Sequence, residues 1–171
     1  MTTEEFKIKV FPLKNKLFRF AKRILDNAEE AEDMVQETFI KLWNRKNKLD
    51  EYRSVEALSM VTVKNLCLDK LKTKKYSIEK IDDLKNEVEW SLISEKEDQS
   101  DLIHQVHQVI KTLPEQQRMI IQLRDIEGYD FEEMAEILDM NENAIRVSLS
   151  RARKKIRETI ANRSYYEYQR N

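Results

Sequence analysis

The chain has 171 residues, of which 40% are hydrophobic and 37% charged, with a formal net charge of −1, one Gly, two Pro and one Cys. So few glycines and prolines leave little chemistry for hairpin turns, which argues against a strand-rich fold and for helices joined by short polar connections. The single cysteine excludes an internal disulfide; with no apolar leader in MTTEEFKIKVF and no run near the ~18 apolar residues of a membrane span, the expectation is a cytoplasmic protein.

Residues 1–75 carry 17 basic and 12 acidic side chains. Phe6, Val10, Leu13, Leu17, Phe20, Ile24 and Leu25 recur at helical spacing, with Pro12 marking a fresh start. Asp26-Asn27 offers a cap for the next helix, AEDMVQETFIKLW, in which Ala31, Met34, Val35, Thr38, Phe39 and Leu42 form one apolar stripe. KNKLDEYRS is a break. A further helix follows, with Val55, Leu58, Val61, Leu66, Leu68 and Leu71 available for burial. Residues 59–75 are net +4, which suits a nucleic-acid face.

Residues 76–101 invert the sign, with 3 basic and 9 acidic side chains, and read as an acidic connector carrying a small apolar cluster, Trp90-Ser91-Leu92-Ile93. A regular pattern resumes at Leu102, Val106, Val109 and Ile110. Leu113-Pro114 stops that helix and starts another, which runs to about Ile126 with Gly128 as its terminator. Phe131, Met134, Ala135 and Leu138 then share one face of a short helix. Asp139-Met140-Asn141 is a tight connection, with Asn141 as the next cap. The expected inner face of the last helix is Ala144, Ile145, Leu149, Ala152 and Ile156, and SYYEYQRN is expected to fray.

Two short helices around a three-residue turn form a helix-turn-helix pattern, whose second helix can enter the DNA major groove. Glu142, Asn143, Arg146, Val147, Ser150 and Arg151 lie outward on its first turns. There Arg can donate two hydrogen bonds to guanine, Asn can exchange two with adenine, and Val can touch a thymine methyl. Arg153, Lys154, Lys155 and Arg157 suit phosphates. Half of positions 146–157 are Arg or Lys and none is acidic, so the positive charge is concentrated where an anion would be met.

His104 and His107 share a helix face, but no further His or Cys cluster joins them, and no metal or other cofactor is expected. Neither a nucleophile–base pair nor a Gly-rich phosphate loop is present, so no catalytic residue and no enzyme activity are expected. Cys67 reads as a small core residue, and Trp43 and Trp90 as packing anchors.

Taken together, these blocks resemble the extracytoplasmic-function (ECF) group of bacterial RNA polymerase sigma factors of the sigma-70 family. AEDMVQETFIKLW resembles region 2.2 and VEALSMVTVKNLCLDKLKTKK regions 2.3 and 2.4; LPEQQRMIIQLRDIEGYDFEEMAEIL with NENAIRVSLSRARKKI resembles region 4. The resemblance implies an all-α protein of two small helical domains. A sigma region 2 bundle over 1–75 and a region 4 helix-turn-helix over 101–162 are joined by an acidic linker, 76–100, and followed by a tail, 163–171.

It further implies partners. Asp33, Gln36, Glu37 and Lys41, off the apolar stripe, would grip the β′ coiled coil of RNA polymerase core, with the β flap as a second contact. KNKLDEYRS matches the loop that captures a flipped base of the −10 promoter element, with Asn65 close by. Lys64, Lys70, Lys72, Lys74 and Lys75 suit its backbone. The outward face of the last helix would read the −35 element of promoter DNA. An inhibitory anti-sigma protein is implied as a partner, and a monomer when free. Two departures stand out: many relatives have an aromatic residue at the position of Leu58, and an additional N-terminal helix. The rival readings are a dimeric helix-turn-helix regulator acting without replacing sigma, and a protein-interaction module whose basic helix is incidental.

Overall fold

A computed structural model of the chain describes residues 1–81 and 99–170. The Trp90–Ile93 cluster and most of the acidic connector lie outside the described residues. Among the described residues there are eight α-helices and no strand: α1 (Thr3–Lys9), α2 (Lys14–Leu25), α3 (Ala28–Asn44), α4 (Val55–Ile81), α5 (Gln99–Thr112), α6 (Glu115–Ile121), α7 (Phe131–Leu138) and α8 (Glu142–Arg170).

Local chemistry fixes the breaks. Asp26 ends α2 in the left-handed region at φ 50°, its N–H donating to the Lys22 carbonyl, and the Asn27 side chain then accepts from Glu30 N to open α3. The same device recurs between α7 and α8. Asp139, at φ 51°, closes α7 on the Ala135 carbonyl, and Asn141 Oδ1 accepts from Asn143 N at 2.7 Å. Short polar Asp is among the few non-glycine residues that visit this conformation readily. Thr2 with Glu5, and Asp130 with Glu133, form reciprocal capping boxes at α1 and α7. After α6 the chain takes a π-helical turn over Gln122–Ile126, and Gly128, at φ 79°, releases it into α7.

One apolar core joins both halves of the chain. Leu17, Phe20 and Ile24 of α2, Ala31 and Val35 of α3, and Met60, Val63 and Cys67 of α4 share a cluster with Ile120, Leu123, Met134, Ile137, Ile145 and Leu149. A smaller cluster of Phe6, Val10, Leu42 and Leu49 pins α1 and the 3₁₀ turn Lys46–Glu51 to α3. Each fully buried large apolar side chain here contributes about 1.5–3 kcal/mol, an upper figure because unfolded chains are not fully extended.

Three expectations need correction. Over residues 55–75 of α4 the buried residues are Ala57, Ser59, Met60, Val63, Lys64 and Cys67, whereas Val55, Leu58, Val61, Leu66, Leu68 and Leu71 are only half-buried. Apolar residues surround this helix on all sides, so its pattern carries no phase. Ala144, expected inside α8, is exposed, and Ser148 is buried in its stead. The terminal SYYEYQR does not fray but continues α8 to Arg170.

Candidate nucleic-acid interface

The pair α7–α8 is a helix-turn-helix. Met134, Ile137 and Leu138 of α7 are buried, as are Ile145, Ser148, Leu149 and Ala152 of α8, with Ile156 half-buried. That packing leaves Asn143, Arg146, Val147, Ser150 and Arg151 exposed on one side, with Glu142 half-buried. Arg153, Lys154, Lys155 and Arg157 are exposed farther along. At 29 residues, α8 is about 44 Å long, so it extends well beyond its packed turns.

These cations are not equally free. Arg153 donates twice to Asp125, one bond at 3.0 Å, and this hydrogen bonding raises its already high pKa. Arg146 Nη1 donates to Glu142 Oε2 at 3.2 Å, and its guanidinium lies 4.1 Å from the Phe131 ring centroid. Arg151, Lys155 and Arg157 are exposed, and Lys154 lies 3.8 Å from Glu158.

On α4 the basic residues divide. Lys72 and Lys75 are exposed, as is the neutral Asn65, and Lys70 and Lys74 are half-buried, with Lys74 paired to Glu30. Lys64 is different: it is 8% exposed, and Nζ donates to the Ile137 carbonyl at 2.9 Å. Desolvation lowers its pKa, partly offset by Asp139. Ile137 sits in the last turn of α7, where carbonyls lack intrahelical partners, so the ammonium satisfies an orphan acceptor at a negative helix end. In this arrangement Lys64 is spent on α7 rather than presented outward.

The polar face of α3 exposes Asp33, Gln36 and Lys41, with Glu37 half-buried. Within that polar surface Ile40 is 54% exposed, an apolar residue that lies off the stripe; its place four positions after Gln36 was the available signal. Trp43 is partly exposed rather than a core anchor, set edge-on to Phe6 at 5.1 Å with the Lys46 ammonium over its ring at 4.1 Å. In the loop before α4, Leu49 is buried, Tyr52 is exposed, and the Ser54 hydroxyl accepts from Ala57 N at 3.1 Å to start the helix.

A second surface is not evident from the sequence. Leu102, Ile103, Val106, Ile110, Ile126 and Ile156 line an apolar groove of 440 Å³, edged by Arg153 and Arg157. Leu102, expected to be buried, is exposed at its edge. Ile103 and Ile126, outside the periodic pattern, were the only hints.

Polar contacts tie the two halves together. Glu56 accepts from Lys16 Nζ at 2.6 Å and from the Tyr129 hydroxyl at 2.5 Å; Arg19 donates to both oxygens of Glu127. Burial pushes the Glu127 carboxyl up, but the bonds from Arg19 and Gln122 and the Arg19 charge leave it below the usual range. Burial first, then the Glu56 bond, raises the Tyr129 phenol. Arg23 donates to Gln122 Oε1 at 2.9 Å and meets His107 Nδ1 at 2.7 Å. Among the described residues no cluster of three or more His, Cys, Asp or Glu could hold a metal ion. Burial pushes the Cys67 thiol up to about 12, so it is inert at neutral pH. No helix among the described residues is long and apolar enough to cross a membrane.

Fold and surface thus define a class: an all-α helix-turn-helix protein whose N-terminal bundle carries a second basic helix. Residues 12–76 match the family described as Sigma-70 region 2, and residues 103–156 match Sigma-70, region 4. The two matches follow in order and together span more than two thirds of the chain. The chain belongs to the sigma-70 family, in its extracytoplasmic-function group, and so among non-enzymatic transcription initiation factors.

Among curated relatives, it is 26% identical over 157 residues to the ECF RNA polymerase sigma factor SigW of Bacillus subtilis (strain 168), covering 86% of this chain and 84% of that protein. Two solved structures share the fold. The sigma factor RpoE in complex with the anti-sigma factor NepR from Bartonella quintana aligns with a TM-score of 0.74 at 21% identity, covering 93% of this chain and 98% of that one. CnrH in complex with the cytosolic domain of CnrY aligns with a TM-score of 0.66 at 20% identity, covering 94% and 90%.

Proposed function

We propose that the chain binds RNA polymerase core and directs it to promoters whose −35 element is read by α8 and whose −10 element is gripped and melted by α4 and the loop before it. The observation that carries this reading is the set of exposed cations Arg146, Arg151, Lys155 and Arg157, which flank the outward side of the second helix of a helix-turn-helix, in a chain of the sigma-70 family. Asn143, Arg146, Val147 and Ser150, with Glu142 and Arg151, face base edges; Arg153, Lys154, Lys155 and Arg157 serve phosphates, Arg153 only after loosening from Asp125.

At the −10 element, Asn65 and the 46–54 loop hold an unstacked base, while Lys70, Lys72, Lys74 and Lys75 meet the backbone. Opening needs no catalytic residue, because capture of flipped bases repays the cost of unstacking. Lys64 joins that surface only once α7 has moved off α4. Asp33, Gln36, Glu37 and Lys41 contact the β′ coiled coil, with exposed Ile40 at the centre of the patch, and the apolar groove beside α5 takes the β flap. An anti-sigma protein is the proposed inhibitor: the solved RpoE is bound to the anti-sigma factor NepR, and the solved CnrH to the cytosolic domain of CnrY.

Transcription in vitro with purified core on a panel of promoter fragments tests the proposal. Discrete transcripts that require both core and this chain are expected. A tight dimer bound to palindromic duplex without core, and no transcript above the core-only level, would favour the regulator instead.

A further inference from the structure

We propose that Phe131 is a positioning residue for base reading: its ring holds the Arg146 guanidinium in the pose from which that arginine meets a base edge. The inference rests on the reading of α8 as the helix that enters the −35 major groove.

Phe131 opens α7, half-buried, and packs against the common core. For burial alone a leucine would serve. The ring, however, has two guanidiniums over it: Arg146 at 4.1 Å and Arg124 at 4.6 Å from the centroid. An aromatic face attracts cations through its quadrupole, which an aliphatic side chain lacks. Arg124 is itself fixed, Nη1 donating to the Tyr129 carbonyl at 2.8 Å. Arg146 is held from its own helix too, by Glu142 Oε2 at 3.2 Å.

Beside this group lies a 320 Å³ cavity lined by Phe131, Arg146, Leu149, Ser150, Arg153 and Arg157. Arg146 stands at its wall. A long, freely rotating arginine can follow a wrong base by swinging to a neighbouring base or a phosphate. One clamped between a ring and a carboxylate cannot, so a mismatch leaves it unpaired and discrimination rises. Phe131 touches no base in this account; it acts through Arg146.

The test uses the full chain with core polymerase on promoter fragments differing at single −35 base pairs, and reads the ratio of matched to altered binding. R146A identifies the base pair that Arg146 reads. F131L keeps the apolar volume and is expected to lower discrimination at that same pair about two- to fivefold. Affinity for altered sites should rise as the freed arginine finds other partners, affinity for core should stay unchanged, and F131Y should retain the wild-type ratio. In the R146A background F131L should add nothing.

Wild-type discrimination in F131L, while R146A loses it, would overturn the role of Phe131 and leave the reading of α8 standing. Equal weakening on every site would make Phe131 merely structural and also overturn it; if F131L lowers the melting temperature, F131M replaces it in the comparison. If R146A changes no ratio, Arg146 is not a reader, and its proposed −35 role fails along with that of Phe131.

Discussion

Replacing Lys64 by Met tests whether a buried ammonium fastens α7 to α4. Methionine matches the length of the lysine stem but cannot donate, so the Ile137 carbonyl loses its partner at the end of α7. A hydrogen bond from a charged donor contributes about 1.5–3 kcal/mol net, and a buried acceptor left unpaired costs a similar amount. Against that, the substitution removes the desolvation penalty that lowers the lysine pKa. The two oppose each other, and the missing bond should win because the carbonyl has no intrahelical alternative: a net loss of about 1–2 kcal/mol is expected. Urea unfolding followed by circular dichroism reads this as a lower midpoint at unchanged slope. Unchanged or increased stability of Lys64→Met would refute the reasoning, showing that burying the charge costs more than the bond returns.

Arg146→Ala should cost ~1–3 kcal/mol of discrimination at one −35 base pair; an unchanged preference for matched over altered sites in holoenzyme binding would show otherwise. Removing both Lys155 and Arg157 should weaken promoter binding uniformly and flatten its salt dependence by roughly one unit of log–log slope for each phosphate no longer neutralised. Gln36→Ala with Glu37→Ala should weaken core binding, measured by competition with another sigma factor, without altering the melting temperature. His107 yields a pH prediction. Burial first, then Arg23, lowers its pKa below 6.5, so the unfolded chain binds more protons in the window between the lowered value and 6.5. Stability should therefore rise with pH across that window and fall on acidification, and His107→Asn should flatten the slope in urea midpoints.

Much of this molecule is legible in its sequence. Where helices are amphipathic, as in α2, α3 and α7, spacing placed the core side chains on the correct face. Capping chemistry placed the breaks at Asp26-Asn27 and Asp139–Asn141, because few residues tolerate a left-handed turn followed by a cap. The phase of α4 was illegible for a physical reason: Val55, Leu58, Val61, Leu66 and Leu68 lie on one side and Met60, Val63 and Cys67 on the other, so apolar residues encircle the helix and only packing against α2, α3 and α7 selects the second set. Burial of Lys64 was equally unreadable, since its partner is a main-chain oxygen 73 residues away. The clasp of Arg146 by Phe131 and Glu142 was half-legible: the Glu142 spacing of four is visible in sequence, while the ring comes from the neighbouring helix.

Permanganate footprinting of a promoter that this chain activates asks most directly whether it does what its surfaces suggest. Thymines in the −10 region should become reactive only when core polymerase and the chain are both present, and Asn65→Ala should reduce that signal while −35 protection persists. Reactivity with core alone, or none with the two together on a promoter they jointly occupy, would contradict the account.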